Sequence, residues 1–310
     1  MRVFVTGATG FIVGEVVRRL RERGDEVVAL VRDPGRAEGL GCELVRGDLG
    51  DDDAIRRGLE RCDAAVHGAA VYRVGVSGKD AAAMREANVG GTERVLGTAL
   101  ELGTAKAVYV STIAVFGNTH GQIVDETSGP VSPPLAVYDE TKREAHEVAE
   151  RLIASGLPCS IVQPGAVYGP GDPSQLGGTL RRVAAGRMPV IAFADCGLNA
   201  VHRDDVADGI LLALDRGRIG EAYVLGGELT TLGAMAATVA RLTGHRAPRS
   251  LPSSLLRAAA RLSPGFRDLV ASSDGVTYWA SDAKARGELG YAPREAEQGL
   301  SDALAAEGLV

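Results

Sequence analysis

The chain predicts an α/β fold: a doubly wound parallel sheet followed by a smaller, mostly helical portion. Three observations carry this reading. Short β-branched strands alternate with amphipathic helical stretches through the first half, a glycine turn joins the first strand to the first helix, and the alternation loosens after Gly165. Strands alternating with helices imply parallel pairing through right-handed crossovers, which puts helices on both faces of the sheet.

The first strand is 2–6 (RVFVT), stopping at Gly7, and the helix over 11–23 carries Phe11, Ile12, Val16, Val17 and Leu20 at helical spacing. Gly24 ends that helix, and Glu26–Val31 is the second strand. Further strands are expected at Glu43–Val45, Ala64–His67, Ala107–Ser111 and Cys159–Gln163, with helices near 51–60, 80–102 and 136–155 between them. From Pro164 the sequence turns Pro- and Gly-rich (PGAVYGPGDPSQLGG). Helices near 176–186, 203–216, 230–243 and 253–262 follow, with a strand at 222–225 and a closing helix from Glu295. This portion is expected to cover the open ends of the sheet strands.

With 310 residues, 45% hydrophobic and 24% charged, and a net charge of −6, the composition is that of an ordinary globular protein of one large domain or two. It argues against a nucleic-acid binder and a disordered chain. Cys42, Cys62, Cys159 and Cys196 lie far apart with no C-x-x-C pair, so neither a metal site nor a disulfide framework is expected. The opening MRVFVTGATG lacks the features of a signal peptide, and no stretch approaches the roughly 18 apolar residues of a membrane span. A cytoplasmic protein with no membrane partner is the expectation.

Gly7-x-x-Gly10, between strand and helix, lets backbone N–H groups and the positive helix end approach a pyrophosphate. Thr9, Phe11 and Ile12 share that turn and are counted with Gly7 and Gly10 as cofactor-binding. Val13 stands where a third glycine is expected, so helix and strand must sit slightly apart there. At the end of the second strand Val31 occupies the place of an NAD-type carboxylate, while Arg32 and Arg36 can fork onto an NADP 2′-phosphate. NADP is therefore the expected cofactor, with Asp33 keeping NAD as the alternative.

Tyr138 and Lys142 stand four residues apart on one helix face, within reach of a shared ligand. A nearby ammonium favours the phenolate and pulls the phenol toward working pH, making Tyr138 a usable general acid or base. At the end of the 107–111 strand, a hydroxyl of Ser111 or Thr112 could face the same pocket, and the pleat allows only one of them to do so.

These segments, together with Asp48-Leu49, His67-Gly68-Ala69-Ala70, Asn88-Val89-Gly90-Gly91-Thr92, STIAVFG (111–117), YDETK (138–142), PGAVYGPGD (164–172) and VHRDDVADGI (201–210), give the chain its resemblance to a known family. In order, and over nearly the whole length, it resembles an extended short-chain dehydrogenase/reductase of the NAD-dependent epimerase/dehydratase family. VRDP, Tyr223–Gly227 and Ala283–Tyr291 make it similar to the dihydroflavonol-reductase-like subgroup. The resemblance implies a Rossmann fold. It further implies that Asp48 and Leu49 contact the adenine, Ala69 and Ala70 line the cofactor channel, and Pro164, Gly165 and Val167 cradle the nicotinamide. Thr112 would be the catalytic hydroxyl, Tyr138 the acid/base and Lys142 the ribose-binding lysine, with Ser111 counted at the cofactor. The expected division is a dinucleotide-binding domain over 1–168, with a later contribution from about 198–218, and a substrate-binding portion over 169–310. Two departures stand out: Val13, and Gln163 where many relatives carry Arg.

Three functions compete. The leading one is an NADP(H)-dependent carbonyl reductase or alcohol dehydrogenase acting on a largely apolar small molecule. A nucleotide-sugar epimerase with bound NAD is the alternative, and a non-catalytic cofactor sensor is a third. A nucleotide-sugar dehydratase is disfavoured by Ile113 and Ala114, where such enzymes carry acids. Against a nucleotide sugar, no cation stands in Gly197–Ala200 or Asp274–Ala280, although Arg181, Arg182, Arg187 and Arg246 could substitute. Tyr72, Tyr278 and Trp279 are the candidate substrate-site aromatics, and Thr112 is counted with them. A homodimer is left open.

Overall fold

The computed structural model describes residues 1–73, 75–261 and 264–310, and its first strand, β1 (Arg2–Thr6), shows how the sheet sorts its side chains. Val3 and Val5 enter one buried cluster and Phe4 the other, because successive strand residues face opposite ways. The chain continues through α1 (Val13–Glu22), β2 (Glu26–Val31), β3 (Glu43–Arg46), α2 (Asp52–Leu59) and β4 (Ala64–His67). In α1 the buried Val13, Val16, Val17 and Leu20 recur at helical spacing and form the stripe that lies on the sheet. The helix expected over 80–102 is α3 (Gly78–Arg85) and α4 (Gly91–Glu101), joined by a π-helical turn at Glu86–Gly90 that carries the buried Asn88. β5 (Lys106–Val110), α5 (Val137–Ala154) and β6 (Cys159–Pro164) complete the regular alternation.

After β6 come β7 (Ala166–Tyr168), α6 (Gln175–Ala184), β8 (Val190–Ile191), β9 (Gly197–His202), α7 (Arg203–Arg216) and β10 (Ala222–Leu225). The remainder is β11 (Glu228–Thr231), α8 (Leu232–Leu242), β12 (Arg249–Ser250), α9 (Ser253–Ala260), α10 (Pro264–Ala271) and α11 (Ala296–Ala306). Position 262, where α9 was expected to end, lies outside the described residues.

Among the described residues seven strands form one parallel sheet in the order β10-β6-β5-β4-β1-β2-β3. The order reverses between β1 and β4, so a crevice opens at their carboxyl ends, the place where this architecture binds ligands. β10 lies within this sheet, although the sequence reading left 222–225 to the smaller portion. Its Tyr223 and Leu225 belong to the same buried cluster as α1 and α7, and Ala222 pairs with Ile161 on β6. A second sheet in the order β11-β9-β7 ties β11 of the expected smaller portion to β9 and β7. Among the described residues no helix is long and apolar enough to cross a membrane.

Candidate active site

Gly7, directly after β1, sits at φ +84°, and a Cβ there would come within 2.9 Å of the Ala69 backbone nitrogen. Left-handed backbone and close approach together demand glycine. The turn closes with the Gly10 N–H donating to the Gly7 carbonyl at 2.8 Å, at the head of α1. Val13, the departure from the three-glycine pattern, is accommodated from the opposite side. A Cβ on residue 68 would meet Val13 Cγ2 at 2.5 Å, so Gly68 supplies the room the missing glycine would have given.

A cavity of about 1640 Å³ runs from this turn across the strand ends to the α6–α8 region. Gly7, Thr9, Gly10, Phe11 and Ile12 line one stretch of it, with Arg32, Arg36, Asp48 and Leu49 at the adjoining end. Ala69, Ala70, Ser111, Thr112, Tyr138 and Lys142 line its middle, with Pro164, Gly165 and Val167 across from them. Tyr72 joins them, its ring edge-on to Tyr138 at 4.7 Å between centroids. Tyr278 and Trp279 are not among the residues that line the cavity. Backbone bridges hold their segment against Gly197 and Val124, Tyr278 packs on the cluster of Ile113, Phe116 and Val224, and the Trp279 indole N–H donates to the Thr230 carbonyl.

The pleat separates the two hydroxyls after β5. Ser111 Oγ is paired with His146 Nδ1 at 2.8 Å, whereas Thr112 Oγ1 accepts from the Ala114 N–H at 3.2 Å. At the other end of the cavity Asp33 accepts from the Gly35 N–H and caps its own loop. Arg32 and Arg36 are exposed, and their guanidiniums make no hydrogen bond or ion pair among the described residues. Arg94, which sequence reasoning missed, donates to the Leu49 carbonyl and pairs with Glu86 and Asp52, bracing the 48–49 loop from α4. Its role depends on a contact between distant segments, and nothing local marks it. Asn88 ties the loop after β4 to α5: its amide exchanges hydrogen bonds with the Val71 backbone and donates to Thr141 Oγ1.

The electrostatics correct one expectation. Burial pushes the Tyr138 phenol up, with Tyr72, Asp139 and Tyr109 adding to the rise. The Lys142 ammonium donates instead to Tyr109 Oη at 3.0 Å and to the Val110 carbonyl at 2.9 Å. Its own burial lowers it to about 7. In this arrangement Tyr138 is held as a proton-bearing acid through neutral pH. Burial also raises Asp139 to about 6.

His67 is a satisfied core residue, bonded to Thr6 and Thr92, and burial lowers it to about 3. A histidine kept neutral in the fold takes up its proton more readily when unfolded. Its stabilisation is therefore present above about 6.5 and lost as pH falls toward 3, at up to about 1.4 kcal/mol per pH unit. Urea midpoints at pH 7 and pH 5 are expected to differ less in His67→Gln than in the native chain, and equal differences would refute this.

The far arm of the cavity is apolar, walled by Met188, Ile191, Phe193, Leu198, Leu232 and Leu269. Met188, Ile191, Phe193 and Leu198 follow the helix expected at 176–186 without any periodicity, and apolar residues so spaced carry no signal of what they face. Of Arg181, Arg182, Arg187 and Arg246, Arg182 alone is among the lining residues. Arg181 is spent on Glu307 and the Asp172 carbonyl.

The cavity suits a dinucleotide: a glycine turn too tightly packed for a Cβ at Gly7 or Gly10, a helix head lining the cavity, and uncommitted guanidiniums at one end. A model of the NAD dependent epimerase/dehydratase family matches residues 3–226. A putative dihydroflavonol 4-reductase of Synechocystis sp. is 34% identical over 97% of this chain and 93% of that protein. The crystal structure of gox2253 superposes with a TM-score of 0.86 at 37% identity, covering 98% of this chain and 97% of that one. DesIV, a dTDP-glucose 4,6-dehydratase from Streptomyces venezuelae solved as a double mutant with NAD bound, covers the whole of both chains at 26% identity and a TM-score of 0.83.

Proposed function

The chain belongs to the NAD dependent epimerase/dehydratase family, and from that premise we propose that it is an NADP(H)-dependent oxidoreductase acting on a largely apolar carbonyl or alcohol. The observation that carries the reading is a cavity with Tyr138, Thr112 and Lys142 at its middle and an apolar arm beyond them. Such a lining, apolar with a few convergent polar groups, suits a small apolar ligand.

The glycine turn and α1 head would hold the pyrophosphate, Asp48 and Leu49 the adenine, Lys142 the nicotinamide ribose, and Pro164, Gly165 and Val167 the nicotinamide. When bound, the cofactor supplies or accepts the hydride. Thr112 Oγ and Tyr138 Oη would hold the carbonyl oxygen, and Tyr138 would give it a proton during reduction and remove one from the alcohol in reverse. Tyr72, edge-on to Tyr138, would wall the reacting centre. NADP rather than NAD is supported by Arg32 and Arg36 at the rim, and by Asp33 being occupied in its own turn.

The alternative, a nucleotide-sugar epimerase, draws support from Arg182 as a cation in the arm. One arginine is fewer than the paired forks that a diphosphate requires. Calorimetric titration of the cofactor-loaded protein separates the two: aromatic ketones are expected to bind and UDP-sugars not to. Micromolar binding of a UDP-sugar with none for ketones would overturn the proposal.

A further inference from the structure

Lys142 is buried, and its neighbours bear on whether it can keep its charge. The titratable groups facing it among the described residues are Tyr109 on β5, His67 on β4 and Tyr138 on its own helix, and all three are neutral at pH 7. Its ammonium therefore rests on two acceptors, the Val110 carbonyl and the Tyr109 hydroxyl, above whose ring it also lies, 4.8 Å from the centroid. A hydroxyl is an acceptor for an ammonium only if its own proton points elsewhere.

The hydrogen bonds around Tyr109 admit a single assignment. Register sets Thr6, His67 and Tyr109 side by side on β1, β4 and β5, and Thr92 reaches them from α4. Thr92 donates its hydroxyl proton to the Asn88 carbonyl at 2.7 Å, so Thr92 Oγ1 has only lone pairs left to offer. His67 Nε2, at 3.0 Å from that oxygen, must then carry the imidazole proton. The ring being neutral, its Nδ1 is bare and takes the proton of Thr6 Oγ1 at 2.7 Å, while Thr6 Oγ1 accepts the Ala69 N–H. Tyr109 Oη itself takes the Lys142 ammonium at 3.0 Å, and toward an ammonium a hydroxyl can only accept. Every one of Thr6, His67, Thr92 and Tyr109 is at most 2% exposed, so water does not compete for these directions.

We propose that Tyr109 is a positioning residue for Lys142: its buried hydroxyl presents a lone pair that, with the Val110 carbonyl, keeps the side chain an ammonium and aims it into the cavity. The functional part of this inference, that the ammonium serves a bound dinucleotide and Tyr138, rests on the reading under Proposed function. The electrostatic part stands without it.

The chain has four lysines, Lys79, Lys106, Lys142 and Lys284, so the ε-carbon signal of Lys142 can be assigned by comparison with Lys142→Arg and titrated by NMR. This measurement needs neither cofactor nor substrate, so it does not share the fate of the proposed activity. Tyr109→Phe keeps the ring and its cation–π contact and removes only the acceptor. The Lys142 midpoint, near 7 in the native protein, is expected to fall by at least about half a pH unit, a threefold or greater loss of proton affinity. In the active enzyme the alkaline limb of the pH–rate profile should move down by the same amount. An unchanged NMR midpoint in folded Tyr109→Phe overturns the proposal. A shifted midpoint with an unmoved rate profile overturns its functional part. Should Tyr109→Phe fail to fold, Tyr109→Met is compared with Tyr109→Gln, of similar size but with an acceptor. A higher midpoint in the glutamine variant supports the proposal, and equal midpoints overturn it.

Discussion

Tyr138→Phe is expected to lower turnover at least about a hundredfold while NADPH binds within about threefold of the native affinity. The substitution removes the group proposed to transfer the proton and leaves the ring in its T-shaped contact with Tyr72. Burial already raises the phenol, so at neutral pH the group being deleted is an acid that carries its proton. Single-turnover rates with NADPH, beside a fluorescence titration of the cofactor, make the separation. More than a tenth of the native rate in the variant would mean that another group supplies the proton.

Arg32→Ala combined with Arg36→Ala is expected to weaken NADPH binding by tenfold or more and leave NADH within about twofold. A charge-assisted hydrogen bond is worth about 1.5–3 kcal/mol, and these guanidiniums are exposed, so the lower figure applies and the effect should shrink as salt rises. Both side chains line the cavity rim without an internal partner among the described residues, so removing them disturbs little of the fold. Equal losses for NADPH and NADH would place the 2′-phosphate elsewhere.

How far the sequence carries is visible residue by residue. Gly7 and Gly10, Arg32 and Arg36, and the Tyr138–Lys142 pair are local patterns: each lies within a few residues of its partner on one element, and all of them line the one cavity. The same holds for the strand-helix alternation up to β6. What was not legible depends on register. Thr6, His67 and Tyr109 are 61 and 42 positions apart along the chain, and only the pairing of three strands makes them neighbours. The exchange between Val13 and Gly68 is of the same kind, a contact between a helix and the loop after another strand. β10 was assigned to the smaller portion because its sequence reveals a strand but not which sheet it joins. The place of Tyr278 and Trp279 is illegible for a related reason: large aromatics suit a substrate wall and a packed strap equally well, and only the bridges their neighbours Thr277 and Ala280 make to Gly197 and Val124 show the strap.

The reading of Lys142 shows the limit of spacing as evidence. Four residues on a helix put its ammonium and the Tyr138 ring on one face, but the ammonium makes its hydrogen bonds across the sheet, to Tyr109 and Val110. On the proposed reading, a chemical link between Lys142 and Tyr138 would come through the ribose of the dinucleotide, and cofactor binding and acid strength would then be properties of one assembly.

NADPH oxidation followed across a panel of apolar aldehydes and ketones, with UDP-glucose in parallel, tests the central claim most directly. Consumption of NADPH in step with formation of the corresponding alcohol, and no reaction of the nucleotide sugar, is the expected result. Conversion of UDP-glucose to its 4-epimer with bound NAD, and no turnover of any carbonyl in the panel, would contradict it.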